Sequence, residues 1–181
     1  MSFEHVVRGG RYLRVADPDW SDSLDGSYAA ERGGRWNPPG SFAVVYLNRD
    51  LETARANVRH RFAGQPFALD DIRPERRPVL VHTDLTRQSY VDVVSDAGCT
   101  AASLPASYPF DDSGVLIPHE RCQPIGQRAW TEGEHGIAAR SAAAGAWPPG
   151  EELAWFQRDT RLTPLEVQSF EHWYWSGQSD V

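Results

Sequence analysis

Short apolar runs, each bounded by polar or Gly/Pro-rich stretches, set the rhythm of this chain. Tyr12-Leu-Arg-Val15 predicts a short first strand, and the continuous apolar run from Ala43 to Leu47 predicts a second. Pro78-Val-Leu-Val-His82 predicts a third. His135 to Ser141 leads into another strand, and Leu153-Ala-Trp-Phe156 into a last one. Residues 16 to 34 are rich in Asp, Ser and Gly and read mostly as loop. The segment 99 to 125 contains Pro105, Pro109, Pro118 and Pro124, which predicts loop with short helical pieces.

Helical periodicity marks three further segments. Leu51, Ala54, Val58 and Phe62 fall at i, i+3, i+7 and i+11, one apolar stripe. Asn48 or Asp50 caps that helix, and Asp50 and Glu52 sit favourably near its start. Asn57 lies at the edge of the stripe, where a polar side chain can look into a cleft. Ile125 to Glu132 predicts a helix closed by Gly133. Thr163-Pro-Leu-Glu166 has the form of a capping box with Pro at the first helical position. Its helix would end near Gly177 and pack through Val167, Phe170 and Tyr174. An exposed Trp173 or Trp175 would be a contact for a partner or a second copy of the chain. The expectation is a single α+β domain spanning 1–181, a twisted sheet with few flanking helices and no linker that splits it.

Composition narrows the classes. At 181 residues, 40% apolar and 24% charged, the chain has the make-up of an ordinary globular domain. A net charge of -7 without a Lys/Arg block speaks against a nucleic-acid surface. Cys99 and Cys122 form neither a CxxC nor a disulfide framework, so a reducing cytoplasm is the expected location. The Met-Ser-Phe-Glu-His start lacks signal-peptide character, and no apolar run approaches membrane-spanning length. Successive histidines are 16 or more residues apart, so HxxxH and HExxH are absent and no metal is expected. GxxxxGK[ST], GxGxxG and GxSxG are absent as well.

The most informative stretch is Gly33-Gly-Arg-Trp-Asn-Pro-Pro-Gly40, which runs straight into the apolar strand. Two glycines open unusual backbone conformations, and Pro38, Pro39 and Gly40 fix a turn. An Arg held in such a frame suits a phosphate or carboxylate, or else stacks on Trp36 as surface loop. Arg14, Tyr46, Asn57 and Ser141 complete a constellation. Arg14 in the first strand and Arg35 in the Gly/Pro frame, brought together by adjacent strands, can clamp a pyrophosphate, and Tyr46 can stack on a planar heterocycle. Each has a structural alternative: Arg14 paired with an Asp of the 17 to 25 loop, Tyr46 a core aromatic, Ser141 a cap or turn residue.

In order along the chain, Tyr12-Leu-Arg14, Gly33-Gly-Arg-Trp-Asn37, Val44-Val-Tyr-Leu47, the Ala54 helix, Cys122-Gln-Pro-Ile-Gly126 and Gly136-Ile-Ala-Ala-Arg-Ser141 resemble the RES domain. The resemblance covers roughly residues 10 to 160. It implies a fold similar to ADP-ribosyltransferases and a toxin of a RES–Xre toxin–antitoxin pair that consumes NAD+, by hydrolysis or phosphorolysis. Some relatives transfer ADP-ribose to a protein instead. Arg35 and Ser141 match the family Arg and Ser, and Arg14 and Tyr46 match positions that look like NAD contacts. The family Glu falls on Asn57. Glu52 lies five residues earlier, about 140° around the helix, and cannot simply substitute.

Cleaving nicotinamide from ribose passes through a cationic sugar, which a carboxylate would stabilise. Asn57 can bond a ribose hydroxyl but carries no charge. Three readings follow: a working enzyme in which another acid, such as Glu52, Glu31 or Asp111, reaches the ribose; an attenuated member that still binds NAD or an antitoxin; and a protein ADP-ribosyltransferase. A homo-oligomer is left open.

Overall fold

One long strand closes the sheet on itself. In the computed structural model, which describes residues 2–143 and 150–176, β1 (His5–Ala16) runs antiparallel to β3 (Val79–Val93) over almost its whole length. Between them in sequence come α1 (Ser27–Arg32), β2 (Val44–Asn48) and α2 (Leu51–Phe62). After β3 follow α3 (Asp96–Ala101), α4 (His119–Thr131), β4 (Gly136–Arg140), β5 (Glu151–Phe156), β6 (Glu166–Gln168) and α5 (Phe170–Tyr174). The six strands are ordered β1-β2-β5-β4-β3-β6, and the additional β1–β3 pairing brings the sheet back to its first strand. Only β3 and β4 are parallel.

The apolar runs are continuous because both faces of the inner strands are covered. Along β5, Ala154 and Phe156 join the core beneath α3 and α4, whereas Leu153 and Trp155 join the opposite core with Val45, Leu47, Tyr12 and Val81. β4 alternates the same way through Ile137, Ala138 and Ala139. A third cluster holds α2 and α5 together through Ala54, Val58, Phe170, Trp173 and Tyr174. The stripe read from Leu51, Ala54, Val58 and Phe62 is the face that packs there.

Several local readings give way to tertiary pairing. β1 starts at His5 rather than Tyr12, because pairing with β3 carries a polar segment into the sheet. α1 occupies part of the expected 16 to 34 loop. Asp50, not Asn48, caps α2 by accepting from the Thr53 amide, while Asn48 ends β2. α4 begins at His119 and runs through Pro124; the carbonyl deprived of its partner is that of Glu120, an exposed residue in the first turn. The predicted helix from Thr163 is the clearest miss. Residues 166–168 pair with Leu80, Val81 and His82 of β3, and the Leu165 amide bonds the His82 carbonyl. Completing that strand edge outweighs the capping signal, and Val167 is left exposed rather than packed. α5 starts only at Phe170, and the expected end near Gly177 lies outside the described residues. Trp173 is buried, whereas Trp175 is 38% exposed.

Candidate active site

Where β1 and β2 part company, the sheet opens. Their ladder consists of the single register pair Leu13↔Asn48, so Arg14 and Val15 on one side and Tyr46 and Leu47 on the other face a gap. The resulting cleft is about 380 Å³, of ligand-binding size. Its walls include Arg14, Gly34, Arg35, Tyr46, Asn57 and Glu152.

The Gly33–Gly40 frame is built as the sequence implies, with Arg35 held differently. Gly33 caps α1 at φ 78°, a left-handed conformation that favours glycine. A Cβ on Gly34 would lie 2.4 Å from the Tyr46 hydroxyl, so only glycine lets the loop pass. The Tyr46 hydroxyl accepts from the Trp36 amide at 2.9 Å and donates to Asn37 Oδ1 at 2.8 Å. Asn37 is fully buried and donates through Nδ2 to the carbonyls of Ala29 and Phe42. Burial holds the Tyr46 phenol well above its ordinary pKa, so it stays a neutral brace. Arg35 does not stack on Trp36. Trp36 is buried against Tyr108, and Arg35 Nη1 donates to the Ile117 carbonyl at 2.9 Å.

Arg14 is 5% exposed, lies over the Trp20 ring and donates to the backbone carbonyl of Asp25 at 3.0 Å. The alternative in which it pairs with an Asp of the 17 to 25 loop holds through the Asp25 backbone alone: the Asp22 and Asp25 carboxylates reach Arg161. Among the described residues no carboxylate lies within ion-pair distance of Arg14 or Arg35. Desolvation pushes the Arg14 guanidinium down to about 10, against the pull of Asp25 and Asp22. A buried cation in that state gains from an arriving anion. His60, Arg61 and His119 line the same cleft. Burial and the nearby Arg35 both lower the His119 pKa.

The opposite wall carries the uncharged site residues and one acid. Period-2 alternation puts Tyr46 and Asn48 of β2, Glu152 of β5 and Ser141 just beyond β4 on one face. Ser141 is 5% exposed; its Oγ donates to Glu152 Oε1 at 2.5 Å and accepts from the Ala143 amide. Asn57 Nδ2 donates to Asn48 Oδ1 at 2.6 Å and to Glu152 Oε1 at 2.9 Å. Asn57 therefore does face a cleft, as its position on the edge of the stripe suggests. The structure thus brings Arg14, Arg35, Tyr46 and Asn57 to one cavity wall or another and ties Ser141 to it through Glu152. The acids proposed from sequence are elsewhere. Exposed Glu52 pairs with the buried Arg55 guanidinium, Glu31 is exposed beside Arg32, and Asp111 is half-buried in a turn where it accepts from Ser113.

Glu152 was not singled out by the sequence reading. Its signal was slight: a second acid at the head of an apolar strand, on the same side as Ala154 and Phe156, where the alternation calls for an apolar residue.

Fold and cleft together define a mixed α/β protein whose sheet splits to expose a cation-lined site. A model of the RES domain matches residues 11–175, and the chain belongs to the RES domain family. It is 27% identical over 150 residues to proteins named NAD(+) phosphorylase MbcT from Mycobacterium bovis and Mycobacterium tuberculosis, covering 81% of this chain and 74% of the relative. Its fold is similar to that of a chain in the crystal structure of the M. tuberculosis MbcT-MbcA toxin-antitoxin complex, with TM-score 0.73 and 19% identity over 94% of this chain and 91% of that one.

Proposed function

We propose that this protein is an NAD+-consuming toxin of a toxin–antitoxin pair, cleaving the bond between nicotinamide and ribose and passing ADP-ribose to inorganic phosphate, with water as the slower acceptor. The observation that carries the reading is Arg14: a buried guanidinium without an anionic partner, facing the same cleft as Arg35. The activity named for the mycobacterial relatives supports the phosphate acceptor. The split sheet supports an ADP-ribosyltransferase-like fold acting as one domain over 1–181.

Arg14 and Arg35 hold the pyrophosphate, each contributing guanidinium donors that the protein leaves free. Tyr46 and Ser141 orient the nicotinamide end. Both Asn57 amide hydrogens are already engaged, which leaves its carbonyl oxygen for a ribose hydroxyl. Breaking the C1–N bond sends its electron pair to the pyridinium nitrogen, so nicotinamide leaves neutral and the ribose carbon becomes cationic. A hydrogenphosphate oxygen then forms the new C1–O bond, and the phosphate monoester so formed gives up its remaining proton at neutral pH. Water in its place releases one proton. The partner fitting this role is an Xre-type antitoxin, the site of action the cytoplasm, and the substrate NAD+ with no metal required.

The test follows NAD+ loss by the purified protein with and without phosphate, beside thermal melts of the natural protein and Arg35→Ala. The expected result is faster loss with phosphate, and NAD+ protection that Arg35→Ala abolishes. Equal melting temperatures with and without NAD+ would sink the reading, and label transferred to protein would replace it with protein ADP-ribosylation.

A further inference from the structure

We propose that Glu152 is the catalytic carboxylate of this site, standing across one hydrogen bond from the position where the family pattern expects an acid. The proposal rests on the NAD+ reading above. Three observations place it. Glu152 is the sole carboxylate lining the cleft among the described residues. It is held by two site side chains at once, accepting from Ser141 Oγ at 2.5 Å and from Asn57 Nδ2 at 2.9 Å, both on Oε1. Among the described residues nothing donates to Oε2, and no Lys, Arg or His forms an ion pair with this carboxylate. An anion built into a cleft of arginines, yet paired with none of them, is free to face a cation that appears only during reaction.

The backbone makes the placement firm. Glu152 pairs with Asn48 of β2 and Ala139 of β4, so its Cα sits in the middle of the sheet rather than on a mobile loop. Asn57 comes from α2, and its amide also grips Asn48. Strand and helix thus hold one acid and one amide side by side. With the amide on α2 and the acid on β5, the site keeps a carboxylate beside the ribose, and the premise of an attenuated enzyme is gone. As the C1–N bond breaks, the Glu152 carboxylate stabilises the developing positive charge on the ribose. When water is the acceptor, it takes the proton the water gives up. Asn57 and Ser141 act here as positioning residues for the acid.

Steady-state kinetics on NAD+ decide the matter, using the natural protein, Glu152→Gln, Glu152→Asp and the exchange Asn57→Glu/Glu152→Gln. Gln keeps volume and hydrogen-bond reach and removes only charge. The expected result is a loss of kcat on the order of 10²–10³-fold in Glu152→Gln with KM changed less than about threefold. The exchange should recover at least about tenfold of that loss, a gain that a merely structural residue would not produce. Should Glu152→Gln fail to fold, Glu152→Asp, which retracts the carboxylate by one methylene, should show a smaller loss confined to kcat. Activity in Glu152→Gln within about threefold of a natural protein that does turn over NAD+ would overturn the role of Glu152 and leave the NAD+ reading standing. A folded natural protein that neither binds nor cleaves NAD+ would overturn both.

Discussion

Tyr46→Phe removes one oxygen and should destabilise the protein far more than a surface hydroxyl would. Among the described residues that oxygen is the sole bridge between the Trp36 amide, at 2.9 Å, and Asn37 Oδ1, at 2.8 Å. Asn37 is fully buried and Trp36 is 2% exposed, so water has no ready path to replace it. Each buried polar group left without a partner costs roughly 1–3 kcal/mol, so two groups should cost about 2–6 kcal/mol. At ~2–4 °C per kcal/mol for a domain of this size, the melting temperature should fall by about 10 °C. Circular dichroism melts of the two proteins at one pH and concentration measure it directly. The same loop holds Arg35, so the KM for NAD+ should also rise. A shift below about 2 °C would mean that the frame does not depend on this bridge, and the account of Arg35 positioning would fail with it.

Two other perturbations test the electrostatics. Arg14→Met keeps the stem that packs against Trp20 and removes a desolvated cation with no anionic partner, so stability should stay level or rise while NAD+ protection disappears. A fall of more than about 5 °C would show that Arg14 is structural. His119 should titrate below its ordinary pKa in the natural protein, and higher in Arg35→Ala, where only burial remains to lower it. The sign follows from linkage. A folded-state pKa lowered below the unfolded one means that the unfolded chain binds the proton more tightly, so this group's contribution to stability is lost as pH falls from the unfolded value toward the folded one. Side-chain NMR titration of both proteins reads it, and coincident curves would refute the Arg35 coupling.

How far the sequence carried the site depends on which residue is asked about. Gly33, Gly34 and Arg35 were legible because a Gly/Pro frame is a local statement about backbone geometry. The α2 stripe was legible because its period maps directly onto one buried face, and Asn57 could be placed at its edge. Arg14 as a free cation was not legible, since acidic neighbours in sequence looked like partners and turned out to reach Arg161. The 163–168 segment misled for the opposite reason: its local signal was strong, but an open strand edge on β3 decided its conformation.

By itself the sequence determined the apolar runs that become β2, β4 and β5, the apolar face of α2, the loop before β2, and the resemblance to the RES family. All of these depend on neighbours within a few residues, where periodicity, capping and turn chemistry act. Tertiary structure alone decided that β1 and β2 part after one pair and open the cleft, and that Asn57, Ser141 and Glu152 meet there. Asn57 and Glu152 are 95 residues apart, on different elements, and their contact follows from sheet register and helix packing. A pattern along the chain states which face a side chain takes. Only the closed sheet states what stands opposite it.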